Sequence, residues 1–129
     1  MSVFEGTMPK TKRILVVDDD DRTGNLICDY LGKCSFEVHS VGDGADAVEL
    51  LKEKKWHFDI VITDYFMPQM NGLELTRHVR EWYPRTLIIG MSGFDAVKND
   101  FLTAGAHAFV QKPFRLPDIL RAINSVHPK

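Results

Sequence analysis

The segment DIVITDYFMPQMNG, residues 59–72, decides the fold of this chain. Its apolar run Ile60–Thr63 has no polar alternation, which is typical of a strand covered on both faces of a parallel sheet. The run ends at Asp64, and Asn71-Gly72 then opens a helical stretch that stops before Pro84. The segment therefore predicts a strand, a polar loop and a helix, which together form one repeat of an α/β fold.

The same alternation extends in both directions along the chain. The predicted strands are Arg13–Val17, Glu37–Val41, Ile60–Thr63, Leu87–Met91 and Ala108–Gln111. Five helices are predicted between and after these strands. The first has Leu26, Ile27, Tyr30 and Leu31 on one face, and the fifth has the apolar stripe Leu116, Ile119, Leu120 and Ile123. The second covers Gly44–Lys55, the third Gly72–Tyr83, and the fourth runs from a cap at Asp95 to about Gly105. Alternating strands and helices predict a doubly wound parallel sheet with helices on both faces.

Size and composition indicate one globular domain. The chain has 129 residues, of which 44% are hydrophobic and 26% charged, and its net charge is −2. That charge gives no electrostatic reason to expect binding to nucleic acid or to an anionic membrane. Two cysteines without a zinc or redox spacing fit a reducing cytoplasm. We expect a flexible leader over residues 1–11 and one domain over residues 12–127.

Polar side chains follow four of the five predicted strands. They are Asp18–Asp21, Thr63-Asp64, Met91-Ser92-Gly93 and Gln111-Lys112-Pro113. In a doubly wound sheet the ligand site lies beyond the carboxyl ends of the strands, so these residues should meet there. Crowded carboxylates resist ionisation unless a divalent cation joins them, and Mg²⁺ prefers oxygen ligands completed by a phosphate. Carboxylates beside a lysine therefore suggest phosphoryl chemistry, in which a carboxylate can be the nucleophile.

Each of these signals alone has an ordinary structural explanation. An acidic run is commonly a solvated loop or a helix start, and an aspartate at a strand end is commonly a cap. Serine before glycine is commonly a turn, and lysine before proline a loop. The occurrence of all four on successive strand ends favours one shared site.

At this point the sequence resembles the receiver domain of two-component response regulators, of the single-domain type similar to chemotaxis regulators. The resemblance covers about Lys12 to Val126. The matching segments are the acidic motif ILVVDDD at residues 14–20, the segment at residues 59–72, Met91-Ser92-Gly93, and AGAHAFVQKPF at residues 104–114. The resemblance implies a flavodoxin-like (βα)5 fold with strand order 2-1-3-4-5.

The resemblance also implies a metal site and a phosphoacceptor. Asp64 would accept the phosphoryl group. Asp19 and Asp64 would bind Mg²⁺ directly, the backbone carbonyl of Phe66 would be a third ligand, and Asp18 would act mostly through a water molecule. The protein would be a phosphoacceptor switch rather than an enzyme with ordinary turnover.

The same resemblance assigns the switch residues. Ser92 would provide the switch hydroxyl, and Lys112, preceding a cis peptide bond to Pro113, would pair with the phosphoryl group. Phe109 would turn inward when Ser92 moves. Ser92 stands where threonine is frequent in the family, and Phe109 where tyrosine is common.

The implied partners are proteins. The phosphodonor would be a phosphohistidine on a sensor kinase or a phosphotransfer protein. The switch would change a surface formed by the fourth helix, fifth strand and fifth helix, to which Val97 and Phe101 would contribute unless they are ordinary core. Output would pass through a partner, a phosphorylation-dependent homodimer or a further domain.

Phe66 and Phe94 lie two residues after Asp64 and Ser92, beside the expected path of an attacking water molecule. Phenyl rings cannot orient water, so we expect a phosphoryl state that persists for many minutes or longer, unless both rings merely pack against neighbours.

Two other functions compete with this interpretation. Asp19-x-Asp21-x-Thr23 spells the nucleophile motif of haloacid-dehalogenase-type phosphohydrolases, although no acidic pair follows the fourth strand. The second is a receiver-like interaction module that works without phosphorylation.

Overall fold

A computed structural model describes residues 11–126. The elements are β1 (Arg13–Val17), α1 (Asp21–Lys33), β2 (Glu37–Val41), α2 (Gly44–Lys52), β3 (Ile60–Asp64), α3 (Gly72–Trp82), β4 (Leu87–Ser92), α4 (Ala96–Ala104), β5 (Ala108–Gln111) and α5 (Leu116–Ser125). The strands form one parallel sheet in the order β2-β1-β3-β4-β5. The predicted fold and strand order are therefore confirmed.

Two apolar layers cover the sheet because alternate residues of each strand point to opposite faces. On one face, side chains of α1 and α5 such as Ile27 and Ile119 pack against Ile14, Ile62 and other strand residues. On the other face, α2, α3 and α4 pack against the alternate strand residues. Both layers are buried, which explains why the central strands are apolar throughout.

The helix starts follow local hydrogen bonding. Asn71 caps α3 in a reciprocal pair: its Oδ1 accepts from the Glu74 N–H at 2.9 Å, and Glu74 Oε1 accepts from the Asn71 N–H at 3.0 Å. Asp20 caps α1 by accepting from the N–H of Arg22 at 3.0 Å. These caps fix where α1 and α3 begin.

Three local predictions are wrong. The second helix ends at Lys52, not Lys55, because Glu53 already has an extended backbone. Asp95 does not cap α4, because its backbone is helical and its side chain makes no capping hydrogen bond. Leu26 is 55% exposed instead of facing the core with Ile27. Val97 and Phe101 are buried in the core, which confirms the alternative given for them above.

The domain boundaries remain predictions. All of the expected leader at residues 1–11 except Thr11 lies outside the described residues, as does residue 127 at the expected end of the domain. Among residues 11–126, no helix combines the length and apolar character needed to cross a bilayer.

Candidate functional site

The sheet register brings the polar strand ends to one edge. Val17 pairs with Thr63, Asp64 with Met91, and Ser92 with Gln111. Because all the strands are parallel, the residues that follow these positions emerge on the same side of the sheet.

Three carboxylates form an acidic cluster at this edge. Within the described residues, Asp18, Asp19 and Asp64 each offer an oxygen, and these oxygens lie within 4.8 Å of one another. Asp18 and Asp64 are buried, whereas Asp19 is exposed. Asp18 is held by its own loop, since its Oδ1 accepts from the N–H of Asp20 at 2.9 Å.

Lys112 reaches the cluster from the end of β5. Its Nζ lies 2.9 Å from Oδ2 of Asp18 and 3.3 Å from Oδ1 of Asp64. Its backbone N–H donates to the carbonyl of Ser92 at 2.8 Å, and the peptide bond between Lys112 and Pro113 is cis. The ammonium thus contacts both buried carboxylates.

Burial and neighbouring charges shift the pKa values of Asp64 and Lys112. Burial raises the pKa of the Asp64 carboxyl, and the nearby charge of Asp18 raises it further, against the opposite effect of Lys112. Burial alone would lower the pKa of Lys112, but its hydrogen bond to Asp18 and the charges of Asp64 and Asp18 outweigh burial and raise it. Lys112 therefore stays charged, while Asp64 lacks full compensation for its negative charge.

Ser92 lies at the end of β4, and Phe109 lies on the neighbouring strand β5. Ser92 is buried, and its Oγ accepts from the N–H of Phe94 at 3.0 Å. Phe109 is half-buried, with its ring centroid 5.8 Å from that of Phe101. Ser92 thus lies at the same edge as Asp64, with its hydroxyl held by its own loop.

Two exposed phenyl rings lie together on the loops after β3 and β4. Phe66 is 56% exposed and Phe94 is 55% exposed, and their centroids are 5.2 Å apart at 69°. Edge-to-face contact of this kind is a favourable aromatic geometry. The rings therefore contact each other while both remain largely open to solvent.

The structure places the sequence-predicted site residues as follows. Asp18, Asp19, Asp64 and Lys112 converge, and Ser92 and Phe109 lie on the neighbouring strands. The metal-binding role of the Phe66 carbonyl remains a prediction. Asp20 and Asp21 have ordinary structural positions, as a helix cap and a first-turn residue of α1.

The sequence interpretation gave no role to Gly90, although its place inside a strand was a signal. An isolated glycine within a strand marks a close approach by another group. A Cβ built on Gly90 would lie 2.6 Å from ring carbons of Phe101. The glycine therefore makes room for the ring of Phe101.

The donor set fits a hard divalent cation. Carboxylate oxygens are the ligands that Mg²⁺ prefers, and a site with few protein ligands leaves positions for water and phosphate oxygens. The exposed position of Asp19 leaves the cluster open on one side. The arrangement can hold a cation next to a carboxylate and an ammonium.

Comparisons with known proteins identify the family. A sequence model described as the response regulator receiver domain matches residues 14–124. The two-component response regulator ARR11 of Arabidopsis thaliana is 35% identical over 115 residues, which are 88% of this chain and 22% of that protein. The chemotaxis protein CheY of Thermotoga maritima is 36% identical over 118 residues, which are 89% of this chain and 97% of that protein.

Solved structures show the same fold. The structure of chemotaxis protein CheY4 of Vibrio cholerae is 27% identical, with a TM-score of 0.83 over 92% of this chain and all of that chain. This chain spans about a fifth of the length of the plant regulators it matches, but nearly the whole of the Thermotoga protein. Because the family model covers most of the sequence, the chain belongs to the response regulator receiver domain family.

Proposed function

We propose that this chain is a phosphorylation switch that accepts a phosphoryl group on Asp64 in a Mg²⁺-dependent reaction. The observation that supports it is the position of Asp64, buried between two further carboxylates and the Lys112 ammonium 3.3 Å away. Membership of the receiver family supports the same role.

The acidic cluster would hold the cation. Asp19 and Asp64 would bind Mg²⁺ directly, Asp18 would act mostly through water, and the backbone carbonyl of Phe66 would be a further ligand. When bound, the ion neutralises charge on the cluster and on the transferring oxygens. Burial and the charge of Asp18 raise the pKa of Asp64, and a cation bound here would favour its ionised form.

The transfer uses groups of this chain in defined roles. A carboxylate oxygen of Asp64 attacks the phosphorus of a phosphohistidine, the P–N bond breaks, and the imidazole leaves with the electron pair. The product is an acyl phosphate on Asp64 and a free histidine on the donor. The ammonium of Lys112 balances the charge on the phosphoryl oxygens.

The acyl phosphate would then move the switch. The acyl phosphate carries roughly −1.5 to −2 charge where the ionised carboxylate carried −1, and it brings new acceptor oxygens. The Ser92 hydroxyl would exchange its present bond from the Phe94 N–H for one to a phosphoryl oxygen. Phe109 would turn inward toward Ser92, which alters the surface of α4, β5 and α5.

The proposed partners are proteins on both sides of the reaction. The donor is a sensor histidine kinase or a phosphotransfer protein. The output passes through a protein partner, a phosphorylation-dependent homodimer or a further domain. The unpaired thiols of Cys28 and Cys34 support a reducing, cytoplasmic location.

The phosphoryl group should be long-lived. The side chains of Phe66 and Phe94 are hydrocarbon rings in contact with each other. Neither ring can hydrogen-bond a water molecule and so hold it in line with the phosphorus. Hydrolysis of the acyl phosphate should therefore take many minutes or longer.

The two competing functions predict different experimental results. The hydrolase alternative would use Asp21, which lies in the first turn of α1 outside the acidic cluster. Incubation with p-nitrophenyl phosphate and Mg²⁺ separates the alternatives. We expect at most about one phosphoryl equivalent of p-nitrophenol per protein at early times, whereas steady release of many equivalents would identify a phosphohydrolase. A module that works without phosphorylation would bind its partner equally well before and after treatment with acetyl phosphate.

A further inference from the structure

Helix α4 is anchored to the sheet by one large side chain. Its buried residues are Val97 and Phe101, and Phe101 has no exposed surface. The other apolar side chain of this helix with comparable bulk, Leu102, is exposed. The position of α4 therefore depends strongly on where the Phe101 ring can lie.

The ring lies against two glycines. A Cβ on Gly90 would lie 2.6 Å from both Cγ and Cδ1 of Phe101. A Cβ on Gly72 would first clash with the backbone carbonyl oxygen of Asp64 and would also lie 3.0 Å from Cζ of Phe101. Real Cβ atoms do not approach ring carbons at 2.6 Å, so an alanine at position 90 would force the ring to move. The ring is thus closely fitted on two sides.

Both glycines belong to segments that carry the proposed site. The N–H of Gly72 donates to the carbonyl of Tyr65 at 2.9 Å, directly after Asp64. Gly90 lies two residues before Ser92 and pairs in register with Phe109. Phe101 therefore lies against the acceptor loop and against the strand of the switch hydroxyl.

Aromatic contacts complete the connection. The Phe101 centroid is 6.3 Å from that of Tyr65 and 5.8 Å from that of Phe109. Tyr65 in turn contacts Phe66, with centroids 4.7 Å apart. The ring of Phe101 thus joins the loop after Asp64 to the side chain expected to turn.

We propose that Phe101 is a positioning residue of the switch, which converts the inward turn of Phe109 into a displacement of α4. Gly90, Ser92 and Phe109 point to the same face of the sheet, because alternate residues and register partners share a face. The ring of Phe101 fills the space over Gly90. Two rings cannot share that space in a close-packed interior, so Phe109 moves inward only if Phe101 and its helix move. This inference rests on the proposed function.

The test separates phosphorylation from its transmission. Wild type, Phe101→Leu and the control Val97→Ala are treated with acetyl phosphate and Mg²⁺, and intact mass records the phosphoryl group in each sample. NMR then records the backbone amides of α4 and the ring signals of Phe109. We expect all three proteins to be phosphorylated, with the α4 response lost in Phe101→Leu and kept in Val97→Ala.

The outcomes discriminate clearly. A normal α4 response in Phe101→Leu overturns the inference, as does loss of the response in both variants, which would indicate general packing.

Gly90→Ala provides an independent test. It keeps the ring but displaces it, and should shift the α4 amides before phosphorylation toward the phosphorylated wild-type positions. Unshifted amides in Gly90→Ala would contradict the inference even if Phe101→Leu failed to fold. If wild type gains no phosphoryl group, the proposed function itself is wrong and the inference falls with it.

Discussion

Nζ of Lys112 lies 3.3 Å from Oδ1 of Asp64, although the strands that position them have β4 between them in the sheet. Lys112 spans this gap from the end of β5 and also contacts Asp18 at 2.9 Å. A cation held against two buried carboxylates is placed to balance the further negative charge that the proposed phosphoryl transfer would bring.

Removing the ammonium should slow phosphorylation. We expect Lys112→Ala to lower the initial rate with acetyl phosphate by about a hundredfold, the scale measured for loss of one donor to a developing negative charge. The rate is followed by intact mass over time. Lys98→Ala removes an exposed lysine from α4 and should leave the rate unchanged. Equal rates in wild type and Lys112→Ala would contradict the proposed role.

Loss of a proposed ligand should weaken Mg²⁺ binding without unfolding the protein. Asp19 is exposed, so Asp19→Asn should cost little stability. Replacing a residue that only contacts a metal ligand lowers metal affinity by about 10–100-fold. Asp19 is itself a proposed ligand, so we expect Asp19→Asn to lower the Mg²⁺ affinity at least that much. Calorimetric titration with Mg²⁺ measures it, with Asp29→Asn on the outside of α1 as the control. Chelation with EDTA should abolish phosphorylation by acetyl phosphate; undiminished phosphorylation in EDTA would exclude the metal requirement.

Polar side chains at the two exposed rings should shorten the life of the phosphoryl group. Phe66→Asn or Phe94→Asn gives an approaching water molecule a hydrogen-bonding partner, so decay should accelerate severalfold. The protein is loaded, the donor is removed, and the remaining phosphorylated fraction is followed by mass. Leu102→Asn changes another exposed apolar residue away from the acidic cluster and should decay like wild type. Decay of the wild type within seconds would reject the water-exclusion argument.

Acid stability should depend on Glu37 at the opposite end of the sheet. Hydrogen bonds from Arg13 and His39 lower the pKa of Glu37 to about 2, below its usual 4.5. A depressed pKa means that the stabilisation is complete above pH 4.5 and is lost as the pH falls through about 2.

The measurement is the thermal midpoint against pH. Glu37→Gln should melt below wild type above pH 4.5, and the two curves should converge as the pH approaches 2. Added salt should reduce the difference, since the pair is partly exposed. Glu49→Gln, which disrupts the exposed pair with Lys52 at 3.5 Å, should have little effect. A pH-independent difference for Glu37→Gln would point to packing rather than charge.

Much of the fold is predictable because it follows from periodicity. β1, β2 and β5 have the predicted limits, and β3 and β4 are each longer by one residue. Periodicity does not determine helix ends, which depend on backbone conformation at residues such as Glu53 and Asp95. It also does not define how wide a buried helix face is, which is why Leu26 is exposed next to buried Ile27.

The site is predictable in part for a different reason. Parallel strands bring residues at their carboxyl ends together whatever their spacing in the sequence, so Asp18, Asp64 and Lys112 could be placed at one edge. No comparable rule predicts which side chains contact each other across the core. The fit of the Phe101 ring against Gly72 and Gly90 depends on distances between atoms that are known only from the folded structure.

The most direct test of the account is the intact mass of wild type and Asp64→Asn after incubation with acetyl phosphate and Mg²⁺. The account predicts the gain of one phosphoryl group in the wild type and none in the variant. A phosphoryl group on the variant, or none on folded wild-type protein, would contradict it.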